Sequence, residues 1–287
     1  MDEVDIRPLR PYQALVLTKG YERVMVISDL HLGWEISLNR EGFHFPTQMK
    51  RLLKKTLMLL RIAKPNSLII LGDLKHTVSG VEIEEWRDVP EFLESLKKKV
   101  DEITVIPGNH DGNLSLLLPE GVAQAPATGI TLWDEIGLFH GHSWPDLKLL
   151  GCKHLIIGHV HPIISFRDPS GLRINRQVWI KAGCDGKKLG ELVLKHLGVK
   201  VDEDLEYALR KTFNLNVKAS SLIVLPSFNE ILGGIPINLE ENGDRRRSST
   251  FIGPILRSRC VDVMNAEVYL LDGTFLGKVK QLRALNY

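Results

Sequence analysis

Five short segments concentrate side chains that bind metal ions or move protons: Asp29-Leu30-His31, Gly72-Asp73, Gly108-Asn109-His110-Asp111, His140-Gly141-His142 and Gly158-His159-Val160-His161. Each directly follows a short apolar run of the kind that forms a strand. In α/β sheets the carboxyl ends of the strands border the crevice where ligands bind. Residues two apart in extended backbone point the same way. This predicts that Asp29 and His31 present two ligand atoms to one place, and that His159 and His161 do the same. Gly72, Gly108, Gly141 and Gly158 let the chain turn tightly there without a Cβ in the way.

The elements that must position these groups are legible from hydrophobic period and breakers. Tyr12–Thr18, Val24–Ser28, Ser67–Leu71 and Glu102–Ile106 read as strands. So do Ile130–Trp133, Gly137–His140, His154–Gly158 and Ser221–Leu225. A loop over His31–Phe45 leads to Pro46, which opens a helix to about Arg61. Met49, Leu52, Leu53, Leu57 and Leu60 recur there at three to four residues, with Lys50, Arg51, Lys54 and Lys55 between them. A second helix is predicted over Glu91–Val100. The first half thus alternates strand and helix, and its strands lack polar alternation, as in a sheet covered on both faces. From about Ile163 the strands shorten (IISF, RINRQVWI), Gly190–Leu215 reads as helical, and VYLLDGTFLGKV around Asp272-Gly273 is a hairpin. The segment from Asn238 to Thr250 is a loop.

Composition bounds the class. The chain has 287 residues, 44% apolar and 25% charged, the profile of a globular protein with a sizeable core. This is the length of about two domains or one large α/β domain. With no linker or repeat, we expect a core over 1–200 and a C-terminal elaboration over 201–287 packed on the same domain. The net charge of +2 neither demands nor forbids a polyanionic partner, so a nucleic-acid site would have to be local. The basic runs Lys97–Lys99 and Arg245–Arg247 are read as a solvated helix end and loop. Cys152, Cys184 and Cys260 are widely spaced and odd in number, which argues against a disulfide framework. The N-terminus lacks a secretory pattern, and no apolar run nears the roughly 18–20 residues of a membrane helix. A soluble cytoplasmic protein is expected.

The five segments occur in the order DxH, GD, GNH[D/E], His, GHxH. Over Asp29–His161 the chain resembles the calcineurin-like metallophosphoesterases. SDLHLGWEISLNREGFHFP, LFHGHSWP and IIGHVHPIISF, with SLIVLPSFNEILGGIPIN and YLLDGTFLGKV near the C-terminus, are similar to the DNA-ligase-associated and archaeal branch. That branch is related to the nuclease subunit of the double-strand-break repair complex. The resemblance implies a four-layer α/β/β/α sandwich and two divalent metal ions. Asp29, His31, Asp73 and His161 would hold one ion, and Asp73, Asn109, His140 and His159 the other, with Asp73 bridging. His110 would face the phosphate as acid or transition-state stabiliser, and Asp111 would orient it.

Four imidazoles, two carboxylates and an amide suit manganese, which we favour, or iron, zinc, cobalt or nickel, rather than an all-oxygen cage. His142 competes with His140 for one ligand place and otherwise touches substrate, as do Arg40 and His76. Trp34 lies in the same loop as Arg40, and His44 reads as structural. The implied reaction is hydrolysis of nucleic-acid or nucleotide phosphodiesters by metal-activated hydroxide. The alternatives are a small-molecule phosphatase or cyclic-nucleotide phosphodiesterase, and a metal-free binding scaffold. The scaffold is disfavoured because crowded carboxylates and imidazoles are costly without a cation. The oligomeric state is open, a homodimer included.

Overall fold

The computed structural model describes residues 3–43, 45–199, 205–239 and 251–285. His44 and the stretch 240–250, with Arg245–Arg247, lie outside the described residues. The chain forms two compact units, Met1–Ala127 with Ser227–Leu232, and Thr128–Pro226 with Gly233–Tyr287.

The first unit holds a six-stranded sheet whose spatial order is its sequence order: β1 (Asp5–Pro8), β2 (Leu15–Lys19), β3 (Glu22–Ile27), β4 (Ser67–Leu71), β5 (Glu102–Ile106) and β6 (Val122–Gln124). β1, β2 and β3 pair antiparallel; β3, β4, β5 and β6 pair parallel. Leu68, Ile69, Ile70 and Leu71 of β4 are all buried, as expected of a strand covered on both faces. Helix α2 (Met49–Ala63) buries Met49, Leu52, Thr56, Leu59, Leu60 and Ala63. Helix α3 (Ile83–Lys97) contributes Val89, Phe92, Leu93 and Leu96 to the same core, which Phe228 joins from the returning segment.

Two expectations for this unit are corrected. The stretch between His31 and Phe45 is not wholly loop, because α1 spans Trp34–Arg40 behind Gly33 at φ 89°. Its buried Glu35 accepts from the Gln48 amide at 2.8 Å and so caps the entry to α2. Helix α3 begins eight residues before the predicted Glu91. Glu82 and Glu85 close a capping box there, and the apolar period carries the helix through Pro90 despite its missing N–H.

The second unit holds a nine-stranded sheet formed by β7 (Ile130–Leu132), β8 (Ile136–Leu138), β9 (His154–Ile157), β10 (Pro162–Arg167), β11 (Arg173–Gly183), β12 (Ser221–Val224), β13 (Ile235–Pro236), β14 (Glu267–Leu270) and β15 (Phe275–Lys278). The order is β13-β10-β11-β12-β9-β8-β7, and β14 pairs with β11 and β15. β8 is parallel to β9, and β9 to β12. The predicted C-terminal hairpin is β14–β15. In place of one helix over Gly190–Leu215 there are two, α4 (Gly186–His196) and α5 (Leu205–Phe213). Gly198, at φ 74°, takes the turn after α4. Two short helices follow, α6 (Pro254–Arg257) and α7 (Val279–Ala284). Leu189, Val193 and Leu194 of α4 pack in a core with Leu155, Ile157, Val178 and Leu222 of the sheet.

Phe228 ties the returning segment into the first core with no exposed surface. Phe228→Ala is expected to lower unfolding free energy by about 3–5 kcal/mol, measured as a lower urea midpoint; an unchanged midpoint would mean the segment is merely draped over the unit.

Candidate metal centre

In the first unit three parallel strands end within one residue of one another, because Ile27 pairs with Ile70 and Leu71 with Ile106. One sheet edge therefore releases three loops, carrying Asp29 and His31, then Asp73 and His76, then Asn109, His110 and Asp111. Asp29, His31 and Asp73 sit at φ 59°, 47° and 50°. Left-handed backbone costs an ordinary residue about 1–2 kcal/mol, less for Asp, and is retained where surrounding structure over-determines it. The expectation that Asp29 and His31 share a direction through extended backbone is thus corrected. Hydrogen bonds between the loops place them instead. The Asp29 amide donates to Gly72 O at 3.1 Å, His31 to Asp73 O at 2.9 Å and Leu32 to Leu74 O at 2.8 Å.

The returning segment bonds the same loop from another side. Phe228 N donates to Ser28 O at 2.7 Å, and Ser227 Oγ to Asp29 O at 3.0 Å. Asn229 Nδ2 donates to Leu30 O at 3.1 Å.

Asp29, His31 and Asp73 are buried. Asp73 faces two neighbours, with Oδ2 3.4 Å from His31 Nε2 and Oδ1 accepting from the His110 amide at 2.8 Å. His76, His110 and His31 bring ring nitrogens within 4.8 Å of one another. His31 and His76 approach through their Nδ1 atoms at 3.1 Å. The His110 Nδ1 bonds the His76 carbonyl. Burial, reinforced by the nearby His110, holds the His76 pKa down to about 4, so its ring is neutral at pH 7.

Three residues that sequence reasoning undervalued or missed build the floor under these loops. The Asp111 carboxylate accepts from the amides of Gly108 at 2.9 Å, Lys75 at 3.1 Å and Leu74 at 3.3 Å, stitching two loops together. Lys75 has no exposed surface, and its Nζ donates to His110 O at 2.7 Å and also to Thr77 O. Burial lowers its pKa against the pull of Glu85, Asp111 and Asp73. Buried Glu85 accepts from the amides of Thr77 at 2.8 Å and His76 at 3.0 Å. The only signal available for Lys75 was a cation directly after Gly-Asp-Leu. Glu85 gives none, because Pro90 hides from the local pattern the helix in which it lies.

Arg40, in the last turn of α1, is exposed and pairs with Glu82 at 2.7 Å. Trp34 packs edge-to-face on Phe45 with ring centroids 5.6 Å apart.

The second unit repeats the arrangement at the ends of parallel β8 and β9. Phe139 N donates to Ile156 O at 3.3 Å and Gly158 N to His140 O at 3.1 Å, continuing the ladder into the loops. His159 and His161 have φ 68° and 47°. His140 is fully buried, and its ring lies 5.0 Å from that of His159 and 5.2 Å from that of His142. His142 is half-buried, with Nδ1 3.1 Å from His140 Nδ1. Burial, with His140 beside it, holds its pKa down to about 4. The His161 carbonyl accepts from Ile235 N at 3.0 Å. A Cβ on Gly234 would fall 2.2 Å from that oxygen, so only glycine fits there.

Each unit's donors suit a divalent transition ion. The first supplies buried carboxylates, imidazoles and a carboxamide; the second supplies three clustered imidazoles. Buried carboxylates gathered around an imidazole are favourable when a cation neutralises them.

An α/β protein with two multi-stranded sheets, helices, and such loops at the strand ends has the makings of a metal-dependent phosphoesterase. The chain belongs to the calcineurin-like phosphoesterases, whose family model matches residues 22–199. A comparison with curated proteins finds no match. Among solved structures, the nuclease MPE of Pseudomonas putida superposes with a TM-score of 0.50 at 17% identity, covering 94% of this chain and 98% of that one. Yfce, a phosphoesterase from E. coli, gives a TM-score of 0.32 at 24% identity, over 50% of this chain and 73% of its own. The expected α/β fold class, with two multi-stranded sheets and helices, is met, and family membership implies phosphoester hydrolysis.

Asp111→Asn exchanges one acceptor oxygen for a donor facing backbone N–H groups. It is expected to cost about 1–3 kcal/mol in a denaturant titration, while Asp111→Ala costs at least as much. An Asn variant as stable as the parent would show that the carboxylate does not hold these loops.

Proposed function

We propose that the chain is a binuclear metal-dependent phosphodiesterase acting on nucleic-acid or nucleotide diesters. In this reading Asp29, His31, Asp73 and His161 hold one divalent ion, and Asp73, Asn109, His140 and His159 hold the other, manganese being the first choice. The observation that carries it is backbone strain placed on these ligands: five of the seven, Asp29, His31, Asp73, His159 and His161, have positive φ. Strain of this kind persists only where surrounding structure over-determines it, and it clusters at functional sites. When bound, the ions supply Lewis acidity and a nucleophile from water at neutral pH.

The chain's own residues do the rest. His110 is fixed at Nδ1 by the His76 carbonyl, which leaves Nε2 to face the phosphate. There, when the ring carries a proton on both nitrogens, Nε2 donates a hydrogen bond to the developing charge, or its proton to the leaving oxygen, and the ring keeps its Nδ1 proton on the His76 carbonyl. Asp111 and Lys75 act through the His110 main chain: Asp111 fixes the loop amides, and Lys75 holds the His110 carbonyl. His76 and His142 line the approach and contact substrate as neutral rings. Arg40 reaches substrate only by exchanging its pairing with Glu82. A diester substrate agrees with the nuclease whose fold this chain shares.

Two variants separate these roles. Asp73→Asn is expected to lose both ions, read by metal analysis, together with nearly all turnover of bis-p-nitrophenyl phosphate; full metal content would sink the bridging assignment. His110→Ala should keep its metal and lose about 10²–10⁴-fold in kcat; loss of metal in that variant would make His110 a ligand. Parallel assays on bis-p-nitrophenyl phosphate, p-nitrophenyl phosphate and labelled oligonucleotides test the substrate class, and a preference for the monoester would overturn the diesterase reading.

A further inference from the structure

A second feature of the first unit is absent from the metal centre. Between the exposed side of α2 and the returning segment lies a groove of about 710 Å³. Its cations are Arg51, Lys54, Lys55 and Arg61, its one carboxylate is Glu230, and its apolar surface comes from Tyr12, Leu57 and Met58.

Two of the cations are built in. Lys55 Nζ donates to Gln13 Oε1 at 2.6 Å, Phe228 O at 2.8 Å and Glu230 Oε2 at 3.1 Å, and lies 4.3 Å from the Phe228 ring centroid. Arg51 donates to Glu230 Oε1 at 2.5 Å and to Asn229 Oδ1 at 2.7 Å. Glu230 is thus shared between two cations. The other two, Lys54 and Arg61, are exposed and make no ion pair among the described residues. They stand seven residues apart, about 10 Å along the helix.

We propose that this groove binds a single-stranded nucleic-acid segment, whose phosphates lie along Arg51, Lys54 and Arg61 and whose bases or sugars rest on Tyr12, Leu57 and Met58. The inference rests on the diesterase reading and extends it to a surface outside the metal ligands.

Charge complementarity favours an anion, four cations facing one carboxylate. The two-turn separation of the free cations favours a chain of phosphates over a single one. An aromatic and apolar floor favours unstacked bases, which a duplex does not offer from its outer face. The groove is also bonded to the metal-bearing loop, because Asn229, which accepts from Arg51, donates through its own amide to Asp29 O at 3.3 Å. The net charge of +2 conceals this concentration of positive charge on one helix.

The test is fluorescence anisotropy of a labelled single-stranded oligonucleotide with phosphorothioate linkages, which keep the charge and resist hydrolysis. Lys54→Glu/Arg61→Gln is expected to raise Kd at least about 10-fold at low salt. The slope of log K against log salt should fall by about 1.4, near 0.7 for each lost phosphate contact. Lys98→Glu/Lys99→Gln, exposed and matched in charge change, should do neither. Circular dichroism confirms that both variants are folded. Unchanged binding in the groove variant, or equal loss in the control, overturns the proposal. Wild-type turnover of bis-p-nitrophenyl phosphate is read separately. If it is absent while binding still depends on the groove, the enzymatic reading fails and the groove stands.

Discussion

Strand register is the constraint from which the candidate ligand loops follow. β3, β4 and β5 run parallel, with Ile27 paired to Ile70 and Leu71 to Ile106, so their ends fall within one residue of one another and the next residues of each emerge from the same sheet edge. A shift of one residue in any strand would turn its side chains to the opposite face and move its candidate ligands with them. The ladder continues past the strand ends, since Asp29, His31 and Leu32 donate to Gly72, Asp73 and Leu74. These backbone bonds offset the unfavourable φ values of the acidic and imidazole residues. The strained residues thus remain in place by main-chain geometry, before any ion is considered.

Beneath the loops lies a buried polar layer that serves positioning. Asp111, Lys75 and Glu85 have little or no exposed surface, and their partners are largely backbone amides and carbonyls. Hydrogen bonds of charged groups to backbone are roughly twice as strong as neutral ones, and a buried charge left without them is costly. A layer of this kind admits one arrangement of the loops and resists others. It also separates two duties that the sequence pattern runs together. In the GNHD block, the His110 ring bonds the His76 carbonyl, while Asp111 is turned inward to the amides.

How much of this was legible in advance follows from the range of the interactions involved. β4 and β5 were read to the residue, because continuous apolar runs closed by Gly72 and Pro107 are local signals. The candidate ligand residues are legible as spaced motifs at strand ends. α1 was not, because seven residues behind a left-handed glycine leave almost no period. The start of α3 was hidden by Pro90, which reads as a helix boundary, while the capping box of Glu82 and Glu85 outweighed it. The roles of Lys75, Glu85 and the 227–232 segment depend on contacts between residues far apart in sequence. Ser227 and Asp29 lie 198 positions apart and share a hydrogen bond at 3.0 Å. No periodicity encodes a pairing of that kind.

The same limit applies to charge. Summed over the chain, cations and anions nearly cancel, which says little about any one face. The period of α2 sends Leu52, Leu59 and Leu60 inward and so gathers its basic residues on the other side. What turns that side from a solvated face into a structured groove is again remote in sequence, the return of Phe228, Asn229 and Glu230 alongside it. Phe228 fills the core, Asn229 bonds the Asp29 loop, and Glu230 fixes two of the four cations. One segment of six residues thereby supports the Asp29 loop on one side and orders a basic surface on the other.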